Sequence, residues 1–208
     1  MYTHSRQLTE NGLPLSEAKK AIIMLHGRGA NAESIISLAH HLSLGDAAIL
    51  APQATNHSWY PYSFLAPVEQ NQPALDSALQ LIGELVKEIT AAGIPLNQIY
   101  FLGFSQGACL ALEYATRHAA GYGGIIAFTG GLIGEQLNPN NYQGDFTGTP
   151  VLITTGNPDP HVPLTRVEES VAVTEKLNAK VTLKVYNGRA HTIQKQEIDL
   201  ANELVLFP

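Results

Sequence analysis

Gly103-Phe104-Ser105-Gln106-Gly107 has the form G-x-S-x-G. In that pattern a serine sits on a strained turn between a strand and a helix, with its hydroxyl exposed and its neighbours small enough for the two backbones to approach. The helix dipole at such a turn favours developing negative charge. Ser105 is therefore a candidate nucleophile, and a serine needs a base to act as one. His191, in Gly188-Arg189-Ala190-His191-Thr192, is the favoured base. His4, His40, His41 and His118 lie near the terminus or on helical segments, whereas His57 and His161 lie in loops and remain alternatives. Asp159, between Pro158 and Pro160, is the favoured acid to orient the histidine and stabilise its charged form. Asp145 and Glu168 compete with it, but Asp145 precedes its strand and Glu168 falls in a predicted helix. An oxyanion needs two backbone N–H donors. Gln106, directly after the serine, supplies one. Arg28, in His26-Gly27-Arg28-Gly29, supplies the other. That stretch also reads as an ordinary glycine-rich turn. As a phosphate cradle it fails, because Ala32 stands at the sixth position of G-x-G-x-x-G.

These residues need a frame that brings them together. Five runs are apolar on successive residues: 21–25, 47–51, 99–102, 124–128 and 151–155. That is the pattern of parallel strands covered on both faces. A sixth run, Val181 to Tyr186, alternates and predicts an edge strand. Leu75, Ala78, Leu79, Ile82, Leu85, Val86 and Ile89 keep helical spacing, with Asp76, Gln80, Glu84, Lys87 and Glu88 opposite. Residues 106–118 predict a deeply buried helix, and 32–43, 163–178 and 192–207 predict further ones. Strand–helix alternation gives a parallel α/β sheet with right-handed crossovers. In such sheets ligands bind beyond the carboxyl ends of the strands, which is where Arg28, Ser105, Asp159 and His191 fall. Two irregular segments, 52–70 and 130–150, are long enough to carry function.

The chain has 208 residues, 45% hydrophobic and 14% charged, which excludes a disordered polymer and predicts one domain, 1–208. Twelve Lys+Arg against 18 Asp+Glu give a net charge of -6, and no basic run exceeds Lys19-Lys20, so a nucleic-acid partner is not expected. The single cysteine, Cys109, allows no internal disulfide. Met1 to Gly12 is polar, and no apolar run approaches the ~20 residues of a membrane helix. The expected localisation is cytoplasmic. No H-E-x-x-H or other ligand spacing occurs, so neither a metal nor a cofactor is expected.

Together, Leu25 to Gly29, Gly103 to Gly107, Gly156 to Pro163 and Gly188 to His191 resemble the phospholipase/carboxylesterase family of α/β-hydrolases. The likeness runs from about Ala21 to Phe207. It implies a minimal α/β-hydrolase fold without a cap domain, a mostly parallel sheet of about six to seven strands flanked by helices. It also implies an ester hydrolase with Ser105, Asp159 and His191 as triad and the Arg28 and Gln106 N–H groups as oxyanion hole. The same triad would serve an acyl thioesterase or a lysophospholipase. A non-catalytic binding protein on this scaffold and a serine peptidase are the other classes. No triad member is missing, however, and 208 residues leave no room for a peptidase's added cap or propeller. Ala30 stands where acyl-protein thioesterases usually carry an acidic residue, and Trp59-Tyr60-Pro61 is closer to bacterial esterases. Trp59, Tyr60 and Phe64, with Phe128, Leu132 and Val162, are candidate substrate-binding residues; the alternative for all six is an apolar cluster beneath a loop. The implied partner is a small ester or thioester, and a homodimer stays open.

Overall fold

A computed structural model describes residues 1–206; Phe207, the end of the last predicted helix and of the family likeness, lies outside the described residues. Its strands are β1 (Leu8–Gly12), β2 (Lys20–Leu25), β3 (Ala47–Pro52), β4 (Ile99–Phe104), β5 (Gly124–Phe128), β6 (Pro150–Asn157) and β7 (Lys180–Asn187). The α-helices are α1 (Ala32–Ile36), α2 (Ala74–Ala91), α3 (Gln106–Arg117), α4 (Leu164–Lys176) and α5 (Lys195–Ala201), with a π-helical turn over Asn202–Leu206. One seven-stranded sheet has the order β1-β3-β2-β4-β5-β6-β7. All neighbours are parallel except β1, which runs antiparallel to β3.

The unbroken apolar runs reflect two cores. Successive strand residues point to opposite faces. Ile23, Phe101, Ile125 and Ile153 enter the layer shared with α2 and α3. Ile22, Leu102, Ile126 and Leu152 enter the layer under α1 and the C-terminal π turn. Strand β7 is half-buried and lies at the edge, as its alternation predicts. Strand β1 is not visible as an apolar run, because only Leu8 and Thr9 are even partly covered. It is held by backbone pairing, from Leu8 opposite Pro52 to Gly12 opposite Ala48.

Two helices are shorter than their apolar patterns suggest. The segment 32–43 becomes α1 followed by a 3-10 turn at Ser37–His41. The last helix begins at Lys195 rather than 192, because residues 188–194 form the loop that carries His191. No helix among the described residues is long and apolar enough to cross a membrane. The chain leaves β2 toward β3 on one side and returns to β4 on the other, so the strand order reverses beside β2. The crevice this opens lies at the carboxyl ends of β2 and β4.

Candidate active site

Ser105 joins β4 to α3 with φ 53° and ψ -116°, a left-handed backbone that side chains seldom adopt. The turn is forced by close packing. A Cβ on Gly103 would lie 2.2 Å from the Gly107 oxygen, and one on Gly107 only 2.1 Å from the Leu25 oxygen. The Ser105 N–H donates to the Phe128 oxygen across the sheet (3.0 Å), and its oxygen accepts from Cys109 N–H (3.0 Å), which fixes the first turn of α3.

The structure brings Ser105, His191 and Asp159 together from the exits of β4, β7 and β6. His191 Nε2 lies 2.8 Å from Ser105 Oγ, and Nδ1 lies 2.9 Å from Asp159 Oδ2. The other carboxylate oxygen, Oδ1, accepts from the N–H groups of His161 and Val162, both at 2.9 Å. Burial raises the Asp159 carboxyl, but the hydrogen bonds from His191, His161 and Val162 outweigh it and hold the group below the usual carboxylate range. With both oxygens committed, Asp159 fixes which His191 nitrogen carries hydrogen and leaves Nε2 free to accept from Ser105. Asp145 instead faces Thr147 and Asn178, and Glu168 lies on α4. His57 bonds to Ala30 rather than to the serine. His161 lines the same cleft, its ring 5.0 Å from that of His191.

Gly27 and Arg28 leave β2 directly beside the serine; a Cβ on Gly27 would come within 3.6 Å of Ser105 Cβ. His26 anchors this loop. Its Nδ1 contacts the Gly27 oxygen (2.8 Å), and Nε2 accepts from Ala54 N–H (3.1 Å). Among the described residues, neither the Arg28 N–H nor the Gln106 N–H has a protein acceptor. The Gln106 side chain has a structural role that the sequence did not reveal. Its Oε1 accepts from Trp59 N–H (2.9 Å) and its Nε2 donates to the Tyr60 oxygen (2.8 Å), so it ties the irregular 52–70 segment to α3.

A cavity of about 640 Å³ opens over Ser105. Tyr60, Phe64 and Val162 line it, together with Leu65, Cys109 and Pro163. The other three apolar candidates do not. Trp59 is fully buried, its indole N–H donating to the His26 oxygen (2.8 Å) and its ring 5.0 Å from that of His26. Phe128 packs in the opposite core layer. Leu132 is buried under α4, where its N–H reaches Ser170 Oγ (2.8 Å). Each fills an interior gap, as apolar side chains of that size do when a covered layer is available. Burial pushes the Cys109 thiol up to about 12, with a Gly131 N–H contact pulling the other way, so it stays protonated as packing.

Behind His191 lies a polar cluster that sequence spacing could not locate. Arg189 and Glu197 are buried with 3.7 Å between charged atoms. Arg189 donates to Thr129 Oγ1 (2.7 Å) and to the Thr192 carbonyl. Glu197 accepts from Thr154 Oγ1 and from Gln194 N–H. The pair clamps both ends of the His191 loop, one to Thr129 just past β5 and the other to Thr154 in β6. Its one sequence signal is an arginine beside the small residues that flank the histidine.

A serine on a β4–α3 elbow, a histidine and an acid on later strand exits, and this strand order define an α/β-hydrolase. The phospholipase/carboxylesterase family model matches residues 13–205, and the chain belongs to that family. It is similar to a phospholipase/carboxylesterase from Dyadobacter fermentans, with 65% identity over 99% of both chains and a TM-score of 0.98. The Bacillus cereus carboxylesterase shares the fold at 22% identity, TM-score 0.76, over 95% of this chain and 92% of that one. Acyl-protein thioesterase 1 of Eremothecium gossypii is 28% identical, covering 88% of this chain and 85% of the relative. The protein is accordingly a hydrolase acting on esters.

Proposed function

We propose that the protein is a serine carboxylesterase working through an acyl-enzyme on Ser105. The observation that carries the assignment is the unbroken Ser105–His191–Asp159 chain at 2.8 and 2.9 Å, open to the cavity. His191 takes the Ser105 proton as the hydroxyl oxygen attacks the ester carbonyl, and Asp159 stabilises the imidazolium that forms. The N–H groups of Arg28 and Gln106 receive the oxyanion. His191 then hands the proton to the departing alcohol, and water cleaves the acyl-enzyme by the same route. A thioester is the second substrate class, favoured by the likeness to the Eremothecium gossypii thioesterase. A fluorophosphonate probe tests the nucleophile: wild type is expected to label and Ser105→Ala to resist. Equal labelling of the two removes Ser105 from its role. Matched p-nitrophenyl esters and acyl thioesters then rank the two classes.

A further inference from the structure

The five arginines of the chain are not used alike. Arg6 pairs with Glu88 (2.8 Å), Arg117 with Glu113 (2.7 Å), Arg166 with Glu169 (2.8 Å) and Arg189 with Glu197 (3.7 Å). Arg28 alone has no carboxylate partner among the described residues, and Arg28 lines the cavity over Ser105. Its guanidinium is nonetheless fixed in place. One terminal nitrogen donates to the Pro61 oxygen (2.7 Å) and the other to the Tyr62 oxygen (2.5 Å). The group stands 5.9 Å from the Tyr60 ring centre. Two of five N–H donors are used, so about three remain for a ligand. Among the described residues no aspartate or glutamate lines the cavity, and both oxygens of Asp159 are already engaged.

We propose that the Arg28 side chain is an anion subsite, and that the favoured substrates are esters carrying a carboxylate apart from the scissile bond, with their apolar part against Tyr60, Phe64, Leu65 and Val162. The inference rests on Ser105 being the nucleophile of the same cavity. A planar, pre-oriented guanidinium matches a carboxylate fork, and its ordering has been met before substrate arrives. The overall charge of -6 does not oppose this. Exposed charges farther than about 8 Å are largely screened at physiological salt, so the local cation decides.

Two pairs of substrates test it. In one, p-nitrophenyl hydrogen adipate is compared with neutral p-nitrophenyl adipamate. In the other, O-butyryl glycolate is compared with O-butyryl glycolamide, which moves the charge to the alcohol side. In at least one pair kcat/KM is expected to favour the carboxylate by about tenfold at low ionic strength, and the preference should shrink as salt is raised. Arg28→Met is expected to abolish that ratio and Arg28→Lys to restore part of it. Neutral members hydrolysed as fast in both pairs would overturn the subsite. So would a parallel loss on both members in Arg28→Met, which would make the guanidinium only a clip for residues 60–62. Absence of fluorophosphonate labelling at Ser105 is a separate result that strikes the esterase assignment itself.

Discussion

Asp159 is held in its charged form by three hydrogen-bond donors that overcome the cost of its burial. A carboxyl whose folded value is depressed stays ionised as pH falls through the usual carboxylate value, about 3.9, and takes up a proton only below it. Asp159 should therefore add no protonation step of its own to the kcat/KM profile above about pH 4. A second proton entering the acid limb in that range would mean that Asp159 titrates there. Asp159→Asn keeps the shape but removes the charge that sets the His191 tautomer, and kcat is expected to fall by about 10³–10⁴. The meeting of Ser105, His191 and Asp159 is legible in the sequence because the proposed chemistry demands particular neighbours: glycines at 103 and 107, and prolines around the acid. Arg189 and Glu197 are not. Charged residues near a loop ordinarily face solvent, and only the finished fold reveals that these two meet in the interior.

The elbow between β4 and α3 places Ser105, the proposed nucleophile, by exclusion of volume. Gly107 sits where a methyl group would strike the backbone of Leu25 and His26, at 2.1 and 2.6 Å. Those atoms belong to β2 and to the loop that carries Arg28, and main chain cannot step aside as a side chain can. Gly107→Ala is thus expected to lower stability by about 1–3 kcal/mol or more, measured by urea unfolding, and to reduce kcat by displacing Ser105 from His191. At this scale periodicity reads well where an element is buried: 75–89 and 106–118 become α2 and α3 nearly as spaced. It fails where backbone geometry dominates. Strand β1 has no apolar face to announce it. Residues 192–194 look helical, yet the capping arrangement at Gln194 and Glu197 starts the helix after them.

For the molecule as a whole, the segment between β5 and β6 is where a cap could have grown. It is instead tied down: Ile133 N–H to Glu113 (2.8 Å), and the Gly134 and Glu135 oxygens to Arg166 (2.5 and 2.8 Å). Glu113 and Arg166 give these links from α3 and α4. We propose that residues 1–208 fold as one unit. Far-UV circular dichroism and fluorescence of the single tryptophan, Trp59, buried against His26, should then report one coincident urea transition; separated midpoints would divide the chain. The overall architecture is legible because a doubly covered sheet demands unbroken apolar strands. The assignment of pocket residues is not, since Trp59, Phe128 and Leu132 have the same apolar character whether they face a cavity or fill a core. Cys109 has a practical consequence of a different kind. The chain's only thiol is buried in the cavity wall and kept protonated, so a cysteine introduced on the surface reacts in preference to it and becomes a selective chemical handle. A dye, a tether or a spin label can be attached there without first removing the native residue.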